Sequence, residues 1–242
     1  IWVLCWMLIP WKKPPAVKTA PVKRVQTIPM LTLLQNRDVL VFVVIRFLLD
    51  PVMYFIMFWA PKYLSEQRHV SFERIGELFW IPFLALGISN IIGGWFSDTL
   101  VRHHFTVNKA RKTVMAIAAA ATMVMPLITT VSSAEAAIAL MAVMLFAHGL
   151  WITNYITAIS DIFGSSSTST VVGISGTAGA ISGLLINPLI GQVVQAHSYN
   201  PLWLTAGIMY PIAFVILLLF IPQIGGARPA GMLKIYKSDN DE

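Results

Sequence analysis

The sequence predicts an all-α membrane protein with a six-transmembrane-helix bundle. Its 242 residues are 57% apolar and 12% charged, with a mean hydropathy of +0.72, whereas charged residues make up about a quarter of a typical soluble domain. The apolar residues form six runs, each long enough to cross about 30 Å of hydrocarbon as a helix. Short polar segments separate the runs and leave no room for a soluble domain, so we expect the runs to pack as one bundle.

Two segments precede this bundle. Residues 1–11 are apolar up to Pro10, and we interpret them as the end of a preceding transmembrane helix. Residues 12–37 are too rich in Pro and Lys to fold alone and form a predicted basic cytoplasmic linker. Because the chain starts inside an apolar run and without Met, we expect it to be a fragment. Residues 29–36 are predicted to form a short amphipathic helix on the membrane surface, with four apolar side chains turned inward: Met30, Leu31, Leu33 and Leu34.

The six-helix transmembrane domain is predicted to occupy residues 38–221, followed by a polar, disordered cytoplasmic tail over 222–242. The first span holds Arg46 and Asp50 within it, the second has no Lys, Arg or Asp, and the third has no charge. The fourth span is long enough to require tilting. The fifth is rich in Gly, which allows close helix packing, and the sixth is apolar. The predicted spans are 38–61, 75–96, 113–131, 136–163, 170–195 and 201–221.

The Lys and Arg residues outside the spans predict the orientation. Alternate sides of the six spans carry 13 and three of these residues, and basic residues concentrate in cytoplasmic segments. Both termini and the polar loop between the second and third spans, over 93–112, are therefore predicted to be cytoplasmic. The three basic residues on the opposite side are Lys62, Arg68 and Arg74.

Composition and motifs argue against several other classes of protein. The net charge of +6 is explained by cytoplasmic loops and does not require a nucleic acid partner. Cys5 is the single cysteine, so no internal disulfide can form, and no cluster of His and Cys indicates a metal. The spans contain no nucleophile with a base and no carboxylate pair, so we expect neither an enzyme nor a cofactor.

Arg46, Asp50 and Tyr54 form a polar stripe at four-residue spacing on one face of the first span. A charge at the centre of a membrane helix costs about 2.5–3.5 kcal/mol, and such residues usually face a polar cavity or a partner. We predict that Arg46 binds the carboxylate of an anionic solute through a bidentate contact, with Asp50 and Tyr54 beside it. The alternative is that Arg46 and Asp50 only neutralise each other while Pro51 kinks the helix.

A second polar stripe lies on the fourth span, where helical periodicity places His148, Trp151, Asn154 and Asp161 on one arc that we expect to face a cavity. Trp151 offers a flat ring to a sugar, and Asn154 offers a donor and an acceptor to hydroxyl groups. Ordinary helix packing is an equal alternative for Trp151. For His148 we favour a hydrogen bond between helices over proton coupling. Thr177 of the fifth span is a further candidate for contact with a solute hydroxyl.

Charged residues at the cytoplasmic ends of the spans are candidates for gating. Asp98 ends the second span, where it can pair with Arg111 or with the positive start of a neighbouring helix. We predict an ion-pair latch that is closed when the site opens outward and broken when it opens inward, with Arg102 and Asp161 as further gating residues. The alternative is a solvated loop whose basic residues only set the topology.

Several of these residues lie in motifs that resemble the major facilitator superfamily. Gly94 and Asp98 form a Gly-x-x-x-Asp motif that is followed by Arg102, Arg111 and Lys112, and the long loop is similar to that of the anion:cation symporter branch. Further stretches resemble the hexuronate transporters of that branch: 46–51 with 59–64, 147–154 with 160–163, and 172–179.

The resemblance implies a fold of twelve spans in two halves, of which this chain would be the end of span six, the central linker and spans seven to twelve. It implies a secondary active transporter of an organic anion, with a hexuronate such as galacturonate or glucuronate as first choice, working by alternating access with a proton or another cation. Its partners would be the sugar acid, the coupling cation, the lipid bilayer and the missing amino-terminal half, in a bacterial inner membrane. We do not expect the fragment to transport alone.

Two alternatives to this function stay open. The first is transport of a different organic anion, including an aldonate or phosphate. The second comes from another class of protein, a membrane-embedded enzyme or a structural membrane subunit. Packing in which spans one to three match spans four to six would support a transporter, because such repeats are typical of transporter folds.

Overall fold

The computed structural model describes Met7 and residues 29–225, and within them the chain is helical without strands. The predicted end of a preceding helix, most of the linker and most of the tail lie outside the described residues. A short 3-10 helix spans Met125–Thr129. The α-helices are α1 Met30–Leu34, α2 Arg37–Arg68, α3 Phe72–Leu78, α4 Trp80–Arg102, α5 Val107–Thr122, α6 Ala134–Phe163, α7 Thr168–His197 and α8 Asn200–Phe220.

Six helical segments of the described chain are long and apolar enough to cross a membrane. They are α2, α3 together with α4, α5 together with the 3-10 helix, α6, α7 and α8. The predicted six-span bundle is therefore confirmed. The end that holds the α4–α5 connection is called here the predicted cytoplasmic end, and the other the predicted outer end.

Two predicted loops are shorter than expected. The polar stretch 93–112 is mostly helical, because α4 continues to Arg102 and α5 already begins at Val107. Thr106 starts α5 by accepting a hydrogen bond on its Oγ1 from the backbone N–H of Lys109 at 3.3 Å. At the other end α2 continues through Pro61 to Arg68 and stops at His69, whose φ of 54° is left-handed. Hydropathy marks the limits of the bilayer, whereas caps and backbone conformation decide where helices end.

A short helix precedes α2, as the sequence predicts, and it has five residues. Leu33 of α1 is buried within the chain, while Met30 and Leu31 are exposed. That the four apolar side chains of this helix turn toward the membrane stays a prediction.

Basic side chains satisfy the carbonyl groups at both ends of the bundle. At the predicted cytoplasmic end, Lys112 Nζ donates to the carbonyl oxygens of Ile221 at 2.8 Å and Pro222 at 2.9 Å, just past α8. At the predicted outer end, Arg68 donates to the carbonyl oxygens of Ile128 and Val131 around the 3-10 helix. Carbonyl groups at helix ends have no partner within the helix, so these two cations tie α5 to α8 and α2 to the 3-10 helix.

Glycines set the close approach of two pairs of helices, α4 with α6 and α2 with α7. In the first pair, a Cβ atom on Gly93 would lie 3.1 Å from the Cα of Leu150, and one on Gly149 would lie 1.8 Å from Ser89 Oγ. Asn154 strengthens the contact, because its Nδ2 donates to the carbonyl oxygen of Gly93 at 3.1 Å. Neither glycine can accept a side chain without separating the two helices.

The packing pattern repeats when the first three spans are exchanged with the last three. The pair α2 and α7 then becomes α6 and α4, and the pair α2 and α8 becomes α6 and α5; all four pairs are in contact. An internal repeat of three spans produces this pattern. The arrangement places α2 and α6 at equivalent positions, so the two polar stripes of the sequence lie on equivalent helices.

The α4 and α6 contact yields a first testable prediction. Replacing Gly149 by Ala places a methyl group inside the contact distance of Ser89, and overpacking of this kind costs about 1–3 kcal/mol. We expect the full-length protein with Gly149→Ala to melt several degrees below wild type in a detergent thermal-shift measurement. Gly87→Ala is the matched control, because a Cβ there meets nothing within 4 Å. Equal melting of both variants would contradict the assigned contact.

Candidate functional site

Arg46 lies in the interior of α2, eight residues from Asp38, which is about 12 Å along the helix axis. The side chain is 23% exposed and that of Asp50 is 10% exposed. Residues of three helices meet around it. Tyr155 of α6 has its ring centroid 5.9 Å from the guanidinium carbon, and Gly179 of α7 lies against Asp50 and the Arg46 stem. Arg46 is thus held at the junction of α2, α6 and α7.

Arg46 and Asp50 form the ion pair that the sequence suggests, and they do so through a single nitrogen. Arg46 Nε lies 2.7 Å from Oδ1 and 2.8 Å from Oδ2 of Asp50. Within the described residues, the terminal Nη1 and Nη2 atoms make no hydrogen bond. A guanidinium group has five N–H donors, four of them on these two atoms. Mutual neutralisation therefore leaves the outer fork of Arg46 available to a second carboxylate.

Gly179 makes the position of Asp50 possible. A Cβ atom at Gly179 would lie 1.9 Å from Asp50 Oδ2 and 2.6 Å from its Cγ. The helical periodicity of α7 does not single out Gly179, because most small residues of this helix lie on a different part of its circumference, next to the face that carries Gly179. The four-residue spacing of Gly179 and Gly183, opposite Asp50 and Tyr54, is the signal that could have found it.

The other residues predicted around the solute lie at different places. Tyr54 packs on Gly183 and stacks on Phe58, with ring centroids 6.1 Å apart and an angle of 14°. Thr177 is exposed, donates to the carbonyl oxygen of Gly173 at 3.0 Å, and lines an apolar groove of about 430 Å³ between α1, α2 and α7. Tyr54 therefore continues the Arg46 stripe, whereas Thr177 belongs to a separate surface.

Neighbouring helices cover the central residues of the expected cavity-facing stripe on α6. Trp151 is 1% exposed and packs edge-on against Tyr210 and Phe214 of α8, at 5.6 and 6.4 Å. Asn154 is fully buried in the α4 contact. Helical periodicity gave their shared face correctly but could not tell that α4 and α8 cover it. Their contact with a solute stays a prediction.

His148 makes the predicted hydrogen bond between helices. Its Nδ1 lies 2.5 Å from the hydroxyl oxygen of Tyr210, and the residue is buried. This bond joins α6 to α8 one turn before Trp151. His148 therefore acts as a packing residue of the α6 and α8 interface in this structure.

Arg111 organises the predicted cytoplasmic end. Its Nη1 lies 3.0 Å from Asp98 Oδ1 and its Nε 3.1 Å from Asp161 Oδ2. Nη1 also donates to Ser97 Oγ. The Arg111 side chain is 9% exposed, while those of Asp98 and Asp161 are 60% and 25% exposed. One buried cation thus joins α4, α5 and α6.

The structure brings three of the four predicted gating residues together. Arg102 is exposed at the end of α4 and, in the part of the chain that the structure describes, forms no ion pair. Ser97 was not anticipated as a partner of Arg111, since a hydroxyl at the end of an apolar helix carries no distinctive pattern. Its position next to Asp98 is the feature that places it within reach.

Charge at this end yields a second prediction. Asp161 is less exposed than Asp98, so the ion pair of Arg111 with Asp161 is the more buried of the two. Exposed ion pairs contribute about 0–1 kcal/mol to stability, whereas removing one partner of a more buried pair costs more. We expect Asp161→Asn to destabilise the full-length protein by about 1–3 kcal/mol and to lower its melting temperature more than Asp98→Asn does. The exposed Arg102→Gln serves as control. A larger loss with Asp98→Asn would show that exposure does not rank the two pairs.

The contact of Gly179 with Asp50 yields a third prediction. Gly179→Ala forces the Asp50 carboxylate away from Arg46 and should lower the melting temperature by the equivalent of about 1–3 kcal/mol. In an Asp50→Ala background the carboxylate is absent, so the same change should cost much less. Gly176→Ala is the control, because a Cβ at that position meets nothing within 4 Å. Additive effects of the two substitutions would argue against the contact.

A family model and several individual proteins that are similar to this chain all point to membrane transporters. The family model described as Major Facilitator Superfamily matches residues 1–187. A hexuronate transporter of Bacillus subtilis strain 168 is 26% identical over 246 aligned positions, covering 96% of this chain and 57% of the relative. A probable galactarate/D-glucarate transporter of Escherichia coli strain K12 is 28% identical over 184 residues, 74% of this chain and 40% of the relative. A D-galactonate transporter of Escherichia coli O6:H1 strain CFT073 is 22% identical over 156 residues, 64% of this chain and 36% of the relative.

The chain spans between 36% and 57% of the length of these three relatives. All three are named as transporters of sugar acids, and none is named as an enzyme. The motifs that suggested the superfamily, from Arg46 to Gly179, lie within the matched residues. The predicted family and the predicted non-enzymatic class are confirmed: the chain is an integral membrane protein that belongs to the major facilitator superfamily.

Proposed function

We propose that this chain is the carboxy-terminal half of a secondary active transporter for an organic anion, with a hexuronate as the first choice of solute. Its relatives include a hexuronate transporter, and the chain covers about half of that protein's length. The transporter would work by alternating access in a bacterial inner membrane, with both ends of the chain in the cytoplasm. Residues 12–37 would form the linker to the amino-terminal half.

The observation that carries the proposal is the outer fork of Arg46. Asp50 occupies only Nε, so two nitrogens with four N–H donors remain at the partly exposed junction of α2, α6 and α7. A carboxylate pairs with such a fork through two parallel hydrogen bonds. The ion pair with Asp50 stabilises the positive charge in the membrane interior while no solute is bound.

The same geometry supports coupling to a cation. Arg46 and Asp50 together are neutral, so a bound carboxylate adds one negative charge to a site inside the membrane. An uncompensated charge there is costly. Binding of a proton or another cation together with the solute removes that cost, and this makes symport the preferred mode of transport.

The Arg111 cluster is proposed as a latch of the cytoplasmic side. Arg111 is shared between Asp98 at the end of α4 and Asp161 at the end of α6, so it resists separation of these helix ends. The latch would be closed while the solute site opens outward and broken when it opens inward. Asp98→Asn with an unchanged transport rate and conformational equilibrium would contradict this role.

A second candidate solute within the same class is an aldonate or an aldarate. The relatives named for D-galactonate and for galactarate or D-glucarate support it. The outer fork of Arg46 binds the carboxylate that all these acids share, so a panel of sugar acids, with and without a pH gradient, is needed to rank them. An uncharged sugar such as galactose provides the negative control.

Substitution of Arg46 in the full-length protein tests the proposal. Arg46→Lys keeps the charge but loses the fork, so we expect KM for the sugar acid to rise at least about tenfold, because a charge-assisted bidentate contact is worth about 1.5–3 kcal/mol. Arg46→Ala loses both the charge and the fork, so we expect uptake to disappear. Uptake of radiolabelled solute by cells, normalised to protein in the membrane, gives both values. Lys109→Gln, which removes an exposed cation of α5, is the matched control. Wild-type affinity in both Arg46 variants would refute the proposal.

A further inference from the structure

One ridge of α2 continues from Arg46 to the predicted outer end with a residue at every fourth position. Neighbours along it interact in pairs: the Arg46 and Asp50 ion pair, the Tyr54 and Phe58 stack, and Lys62 Nζ at 3.7 Å from Glu66 Oε1. Charged pairs thus lie on both sides of an aromatic pair. The ridge consists of Arg46, Asp50, Tyr54, Phe58, Lys62 and Glu66.

Helix α7 packs against the first half of this ridge and against the neighbouring Trp59. Gly179 lies against Asp50 and Gly183 against Tyr54, and further out a Cβ atom on Gly191 would lie 3.3 Å from the ring of Trp59. Trp59 Nε1 also donates to Asn187 Oδ1 at 3.1 Å. These contacts place α7 beside Asp50, Tyr54 and Trp59, and the Trp59 ring in turn lies under Lys62. Sixteen residues separate the two cations, which is about 24 Å along the helix.

Lys62 differs from the other two basic residues of the predicted outer end. Arg68 is occupied by Tyr63 and by two carbonyl groups, and Arg74 pairs with Glu77 and Glu135. Lys62 is 51% exposed, and its ammonium group makes no hydrogen bond within the described chain. It lies 5.4 Å from the centroid of the Trp59 ring, which orients the cation without using its donors.

We propose that Lys62 is an outer recruitment site for the carboxylate of the sugar acid, from which the solute passes along the Tyr54 and Phe58 rings to Arg46. This inference rests on the proposed function and on the proposed orientation. Glu66, whose Oε1 lies 3.7 Å from Lys62 Nζ, competes with the solute for Lys62. The rings of Tyr54 and Phe58, between the two charged pairs, offer apolar faces to a sugar ring. Because neither ring is charged, neither would hold the carboxylate of the solute on its way to Arg46.

The charge of Lys62 should act on association rather than on translocation. An exposed cation at the mouth of a site raises the local concentration of an anion, and this effect falls as salt screens the charge. Loss of Lys62 should therefore raise KM at low ionic strength and leave the maximal rate unchanged. Loss of Glu66 should lower KM, because the competing carboxylate is removed.

The experiment compares uptake of galacturonate by cells that produce the full-length protein with Lys62→Gln, Lys62→Arg, Glu66→Gln or Arg74→Gln, each normalised to the amount in the membrane. At low ionic strength we expect KM to rise about three- to tenfold in Lys62→Gln, to stay near wild type in Lys62→Arg and to fall in Glu66→Gln. The Lys62→Gln difference should shrink as salt is added. Arg74→Gln is the matched control, because it removes an outer charge that is already paired.

Two results would overturn the inference while leaving the proposed function in place: a KM of Lys62→Gln within twofold of wild type at low ionic strength, or an equal rise in Arg74→Gln. In both cases Arg46→Lys would still raise KM for the solute and Arg46→Ala would still abolish its uptake. If instead wild-type protein takes up no sugar acid, or Arg46 variants behave as wild type, the proposed function fails and the role of Lys62 fails with it.

Discussion

The ion pair of Arg46 and Asp50 in the interior of α2 is the constraint on which the surrounding arrangement depends. A membrane interior does not tolerate an isolated charge, so the carboxylate must stay within reach of the guanidinium. Gly179 permits this, because any side chain there would occupy the space of Asp50. The ion pair thus fixes the approach of α7, while the Arg46 side chain remains 23% exposed.

The bundle repeats this design at an equivalent position. The pair α4 and α6 is held at close range by Gly93 and Gly149, as α2 and α7 are by their glycines, but its polar groups are buried against each other. Asn154 bonds to the backbone of α4. The α2 and α7 contact therefore supports a partly exposed charge, whereas the α4 and α6 contact is buried, with Arg111 at its predicted cytoplasmic end.

Much of the fold follows from composition and periodicity, and the site follows less completely. Long apolar runs predict six spans because the bilayer requires that length, and the four-residue spacing of Arg46 and Asp50 predicts their ion pair because such residues are neighbours on a helix. The spacing of Asp98, Arg111 and Asp161 in the chain does not predict a shared cluster. That cluster depends on three helix ends meeting, which is a property of packing.

The sequence by itself determined the membrane class, the number of spans and the presence of a charge at mid-depth, because each follows from hydropathy and helix geometry. The tertiary structure decided which polar faces are open. Trp151 and Asn154 look like cavity residues on a helical wheel, yet α8 and α4 cover them. Periodicity reports the face that a residue occupies, and only the neighbouring helices determine whether that face meets a solute or another side chain.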